Sequence, residues 1–424
     1  MTRIRRRKLA GAALCMTWAW FWMGCASSFD PTPVDQVSFR ERSETQEEGK
    51  VRVTTAVPSA KETQQLFGVN LYRRGVQPVW LEIENGRDEV VSFLAVGLDP
   101  EYYTPIEAAN LRLGEDPSKT NPAMNRYFFE KGMGLFVEPG KTRSGFVFSA
   151  LDEGTKAFNV DLLGEEETFS FTFFVPVPGL KIDHQNVDWD NLYPGDAYVD
   201  LEKEELLELL REQPCCTTDK KAKGTGDPLN LVVIGDPDDV YYAFIRAGWD
   251  ETETIHRASL LKTMASFFTG GEYRYSPVSS LYVFGRGQDV AFQKARANIH
   301  ERNHLRLWMS SARYQGKAVW IGQISRDIGV RFTPKTITTH KIDPDVDETR
   351  EFLLEDLAYS QSLAKFAYVG GVGEAPVDEP RGNLTGDPYF TDGFRLVLWV
   401  ASNPVDIADI EVVSWDVPPY DEAD

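Results

Sequence analysis

Between Leu66 and Asp190 the chain is cut into short runs of β-favouring residues separated by turn residues: 77–83, 89–94, 144–148, 157–162 and 168–175. In Val79-Trp80-Leu81-Glu82-Ile83, two-residue alternation sends Val79, Leu81 and Ile83 to one side and Trp80 and Glu82 to the other. Residues 62–195 therefore predict a β-sandwich-like domain. The stretch from Pro100 to Asn125 interrupts it, with a short helix over Ile106 to Leu111. No catalytic cluster stands in this part, so it reads as a binding or spacing element.

The pattern then changes. Leucines at 201, 206, 207, 209 and 210 make Leu201 to Arg211 an amphipathic helix, and Gln213 to Gly226 follows as a boundary segment, so 196–226 reads as a helical linker. From 227 to 424 helices and strands mix. Leu229 to Gly235 reads as an apolar strand, and Asp236-Pro237 as the cap and first turn of a helix. Asp236, Asp238 and Asp239 at that helix start would repel a phosphate, and no glycine-rich loop or Walker lysine is present, so a nucleotide site is not expected. Further helices are predicted at Thr254 to Phe268, Asp289 to Asn298 and Glu348 to Phe366. Strands are predicted at His304 to Met309, Lys317 to Ile324 and Phe394 to Val400. The spacing is not that of repeated βαβ units, so the fold class is α+β: a β-sandwich domain followed by a mixed α+β domain.

The first residues carry a location signal. Arg3, Arg5, Arg6, Arg7 and Lys8 are followed by an uncharged apolar run from Leu9 to Gly24 and then by Cys25. That order predicts a lipoprotein signal peptide over 1–24, with Cys25 as the lipidated (palmitate-type) first residue of the mature protein. Residues 25–61, rich in Ser, Thr, Glu, Gln and Pro, then read as a flexible tether. Ala26 is not the aspartate that holds lipoproteins at an inner membrane. The expected place is therefore the cell envelope, on an outer membrane facing the periplasm, with the lipid as the membrane partner. The net charge of −20 argues against nucleic acid. Beyond Cys15 and Cys25 only Cys215-Cys216 remains, and adjacent cysteines are expected here as free thiols in the linker.

Two constellations carry chemistry. His300-Glu301-Arg302-Asn303-His304 is an H-E-x-x-H string, which on a helix would let His300 and His304 hold zinc, with Asp327, His340 or Asp343 as further candidates. The alternation in His304-Leu305-Arg306-Leu307-Trp308 is that of a strand, which removes the helical geometry. A strand would instead project His304, Arg306 and Trp308 from one face. With Arg326, Asp327, His340 and Asp343 these residues offer a site for an anionic small molecule, or acid–base groups. The scaffold reading is equally concrete: Arg306 and Arg326 pair with Asp327 or Asp347, and Asp345 with Glu348 caps the next helix. If a cofactor is held at these histidines, it is a divalent metal. The spacing of Asp343, Asp345 and Asp347 fails as an EF-hand, since Glu348 stands where glycine is needed.

Leu229 to Gly235, Ala247-Gly248-Trp249, Tyr282 to Gly285, Asn303-His304-Leu305-Arg306-Leu307-Trp308, Val319 to Gly329 and Thr339 to Arg350 resemble the LssY-type C-terminal domain family, over roughly residues 227–400. The family pattern matches His304, Arg306, Trp308, Asp327, His340 and Asp347, whereas His300 and Glu301 fall outside it. The resemblance implies an envelope setting and supplies no reaction. The expectation is a lipid-anchored envelope protein working as a binding or accessory module, with an anionic small molecule or an envelope protein as ligand. The rival is a metal-dependent or phosphoester hydrolase using His304, His340 and the neighbouring Arg and Asp residues.

Overall fold

The computed structural model describes residues 29–111, 121–165, 167–179, 187–252, 278–295, 302–333 and 336–418. The first unit is built on two antiparallel four-stranded sheets. One runs Glu44–Glu48, Val51–Ala56, Val76–Asn85, Lys141–Ala150 in spatial order, and the other Phe136–Val137, Val91–Leu94, Thr155–Leu163, Thr168–Pro176. Val79, Leu81 and Ile83 of the first sheet share one apolar core with Phe93, Val160, Phe171 and Phe173 of the second. Trp80 goes to the opposite face, as the alternation predicts, and is buried there too.

That opposite face is covered by two helices, Ala60–Phe67 and Pro122–Lys131. Phe67 and Phe128 pack on Phe148, with ring centroids 5.3 Å away in each case, in a core that includes Trp80 and Phe146. The first sheet is thus sealed on both sides, which explains why Val76–Asn85 is buried along almost its whole length. The Ala60–Phe67 helix starts in a capping box: the Glu62 carboxylate accepts from the Ser59 backbone N–H at 2.8 Å, and the Ser59 hydroxyl accepts from the Glu62 N–H at 3.3 Å. It ends at Gly68, whose φ of 66° is the left-handed closure that glycine makes without a steric cost.

The tether expected over 25–61 is corrected here: from residue 29 onward these residues belong to the fold. Val37, Phe39, Val51 and Val53 are buried, and Val51–Ala56 is an interior strand. Polar composition misleads because the strand Glu44–Glu48 is an edge strand with an exposed face.

The second unit centres on a ten-stranded mixed sheet. Its main path runs Asp250–Glu251, Val290–Ala295, Arg302–Tyr314, Lys317–Thr333, Leu231–Ile234, Phe394–Val400, Leu363–Gly370, Glu411–Val412. Helices Pro237–Arg246 and Val346–Tyr359 lie on one face, where Phe244, Leu353 and Leu357 join Leu231, Leu305, Leu307 and Trp320 in a core. On the other face Leu206 and Leu210 of helix Lys203–Glu212 pack with Val232, Trp308, Ile321 and Val397. Asp236 and Asp239, at the helix start where no phosphate is expected, pair with Lys317.

Three further expectations change. The segment from Asp289 is the strand Val290–Ala295 rather than a helix, because Val290, Ala291 and Phe292 fill a sheet position. The helix expected to reach Phe366 ends at Tyr359, and Leu363–Gly370 turns back as a strand. The linker is not free of sheet: Cys216–Thr218 pairs with Thr225–Pro228 and with Tyr282–Val283. Cys215 and Cys216 are bonded to each other there, not free thiols. The helix predicted over Thr254 to Phe268 lies outside the described residues.

The two units touch. Phe174 stacks on Tyr242 with centroids 3.9 Å apart and planes 7° from parallel, and Thr155 Oγ1 lies 2.7 Å from the Tyr241 hydroxyl.

Candidate functional site

Along Arg302–Tyr314 the odd members of the alternation, Leu305, Leu307 and Met309, enter the helix-covered core. Arg302, His304, Arg306 and Trp308 therefore face the other way. The register places His304 opposite Ser325 and Gln293, and Arg306 opposite Gln323. One end of this sheet face is thus polar where the rest is apolar, and the polar end is buried: His304 is 6% exposed, Arg306 3%, Asp327 1% and Ser325 0%.

Burial of so many polar groups requires that they satisfy one another. Arg306 donates to the Gln323 carbonyl oxygen at 2.7 Å and to the Ser279 backbone carbonyl at 3.0 Å. Arg302 donates to Asp327 at 3.2 Å and to Gln293. The Gln323 amide donates to the Ser325 hydroxyl at 2.8 Å, and that hydroxyl lies 3.0 Å from His304 Nε2. His304 Nδ1 in turn lies 3.6 Å from Asp327 Oδ1. Hydroxyl, imidazole and carboxylate thus stand in sequence, the second gap longer than a hydrogen bond.

Electrostatics follow from burial. Removal from water pushes the Asp327 carboxyl up to about 6 against the pull of Arg302, and pushes Arg306 down to about 10. Asp227 is raised for the same reason, and it accepts from the Asn383 amide at 2.8 Å.

The other sequence candidates are dispersed. Arg326, the next residue along the strand, leaves on the opposite face: it donates to Asn303 at 3.0 Å and lies 5.7 Å from the Phe352 ring centroid. Asp343 sits beyond the strand Thr336–Ile342, where its N–H donates to the Arg326 carbonyl. His340 pairs with Val330, five positions along the strand from Ser325, which faces His304. At about 3.3 Å per residue that separates the two backbone positions by roughly 16 Å. His300 and Glu301 lie outside the described residues, while Arg302 already begins a strand, so no helix carries the H-E-x-x-H string through His304. Among the described residues no cluster of three or more His, Cys, Asp or Glu side chains is arranged to hold a metal ion.

The pairing expected of the arginines is also corrected. Asp327 takes Arg302 rather than Arg306 or Arg326, and Asp347 takes Arg350 at 3.3 Å. Asp345 caps helix Val346–Tyr359 as expected, its carboxylate accepting from the Asp347 and Glu348 N–H groups at 3.2 and 3.0 Å. Sequence reasoning missed Arg302, Gln293, Gln323 and Asp227. The signal for one of them was available: Gln323 recurs with Ser325 and Asp327 at every second position of an apolar strand.

No curated protein matches this chain. Residues 205–394 match the family model described as LssY C-terminus, a span that starts earlier than the 227 expected from motifs and takes in most of helix Lys203–Glu212. That span contains both strands of the polar cluster and both helices that cover the other face, so the likeness of this chain to LssY-type C-terminal domains lies in its second unit.

Proposed function

We propose that this chain is a lipid-anchored envelope protein, held to an outer membrane through Cys25, whose sandwich-like first unit and LssY-type domain act as a binding or accessory module. One observation carries the reading. The ionisable groups of the family motifs, His304, Arg306 and Asp327, are buried and engaged within the fold: His304 lies beside the Ser325 hydroxyl, Arg306 donates to Gln323 and Ser279, and Asp327 accepts from Arg302. A catalytic cluster presents its groups to a substrate. This one supports the sheet that carries it. The sandwich reading of the first unit is supported by the core that its two sheets share.

The test is His304→Ala and Ser325→Ala in the mature chain. On the structural reading each lowers the melting temperature, and wild type shows no turnover of ester or phosphoester substrates. The hydrolase reading draws on the Ser325–His304–Asp327 order. It would require turnover that Ser325→Ala abolishes while the melting temperature is kept. Mass analysis of the N-terminal peptide, with Cys25→Ser as control, tests the anchor.

A further inference from the structure

An apolar groove of about 610 Å³ opens in the first unit between strand Lys141–Ala150 and strand Val91–Leu94, within the range of small-molecule sites, roughly 300–1,000 Å³. Its walls include Phe93, Val96, Tyr102, Leu135 and Phe148. No lining residue is charged, in a chain of which 26% is charged. Val96, Tyr102 and Leu135 are exposed, so the apolar surface continues to the rim. Such walls carry no charge to hold an ionic head group, and most of the surface they present is apolar. They suit a single unbranched hydrocarbon chain.

The start of the described chain lies close by. The Phe29 ring packs 5.6 Å from Tyr127, Tyr127 packs 6.3 Å from Phe67, and Phe67 packs 5.3 Å from Phe148 in the groove wall. Cys25 precedes Phe29 by four residues, a span of at most about 14 Å. We propose that the groove sheathes an acyl chain carried on Cys25, an inference that rests on the lipid-anchored reading above. The uncharged lining matches the chemistry of the ligand, and the short span from Phe29 matches its source.

The experiment titrates a fluorescent sixteen-carbon fatty acid into three full-length proteins: the acylated chain, Cys25→Ser, and Cys25→Ser with Val96→Asp and Leu135→Asp. Intact mass and melting temperature are recorded for each. The unacylated protein should bind one equivalent saturably. The groove variant should bind at least tenfold more weakly with its melting temperature kept, and the acylated protein should bind at least tenfold more weakly because its groove is filled. Absence of an acyl mass on Cys25 would overturn the anchor and the proposed source together. Binding by the acylated protein equal to that of Cys25→Ser would overturn the proposed source and leave the anchor standing. Unacylated protein that does not bind, or binding that survives the two aspartates, would overturn the groove. Should the double variant unfold, Val96→Asp alone serves as the second probe.

Discussion

Arg350 and Asp392 meet in a two-pronged ion pair, Nη1 to Oδ1 at 2.9 Å and Nη2 to Oδ2 at 2.8 Å. The same guanidinium reaches Glu351 at 2.8 Å and Asp347 at 3.3 Å, so one buried cation holds three carboxylates around the start of helix Val346–Tyr359. Arg350→Met would leave those carboxylates facing one another, at a cost of about 3–5 kcal/mol. Urea unfolding at neutral pH checks it, and a loss below 1 kcal/mol would refute the central role of Arg350.

Residues 29–61 supply two of the four strands of the first sheet and the residues that cap and begin its covering helix. A chain truncated to begin at Ala60 should be insoluble or bind a hydrophobic dye, since Val79, Leu81 and Trp80 lose their neighbours on one side. Retention of a cooperative melting transition by that truncation would show instead that the segment is a dispensable tether.

Glu251 sits where the two units meet and accepts from the Thr155 hydroxyl at 3.1 Å. Burial raises its carboxyl from 4.5 to about 8. Between those values the folded state holds more protons than the unfolded state, so the contribution to stability falls as pH rises. It is fully present below about 4.5 and lost by about 8. Glu251→Gln stays neutral throughout, so its melting temperature should decline less than that of wild type across this window. Parallel profiles for the two proteins would exclude Glu251 as a source of pH dependence.

Arg395 is fully buried and donates to the backbone carbonyls of Leu210, Gln213 and Pro214, at 2.8, 3.1 and 2.8 Å. It thereby satisfies the end of helix Lys203–Glu212, where carbonyls lack partners in the helix itself. Arg395→Ala should cost about 3 kcal/mol or more, because each orphaned carbonyl costs roughly 1–3 kcal/mol. Fraying of this helix, seen as faster amide exchange at Leu209 and Leu210, is the local signature. Unchanged exchange there would mean that the helix end is held by other contacts.

Where the pattern had a clean period, the sequence was readable. Val79, Leu81 and Ile83 go to the inner core, and Phe394–Val400 is a strand with the bounds expected. His304, Arg306 and Trp308 share a face as the alternation predicts. Failures came where composition stood in for contacts. The acidic stretch around Glu44 was read as spacer because an edge strand buries little, and Val290–Ala295 was read as helix because six residues are too few to separate the two periods. The pairings of Arg302 with Asp327 and of Arg350 with Asp392 were not legible, because those partners stand 25 and 42 positions away.

The polar end of the long hairpin has a consequence for how the chain finds its alignment. A slip of one residue between Arg302–Tyr314 and its neighbours would turn every side chain over. Arg302, His304 and Arg306 would then point among Leu353, Leu357 and Phe244, and Leu305 and Leu307 would meet Gln293, Gln323 and Asp327. Neither set would find a partner. The buried charges thus act as a key to strand pairing: they tolerate one registration of the sheet and penalise its neighbours, whatever they add to its stability.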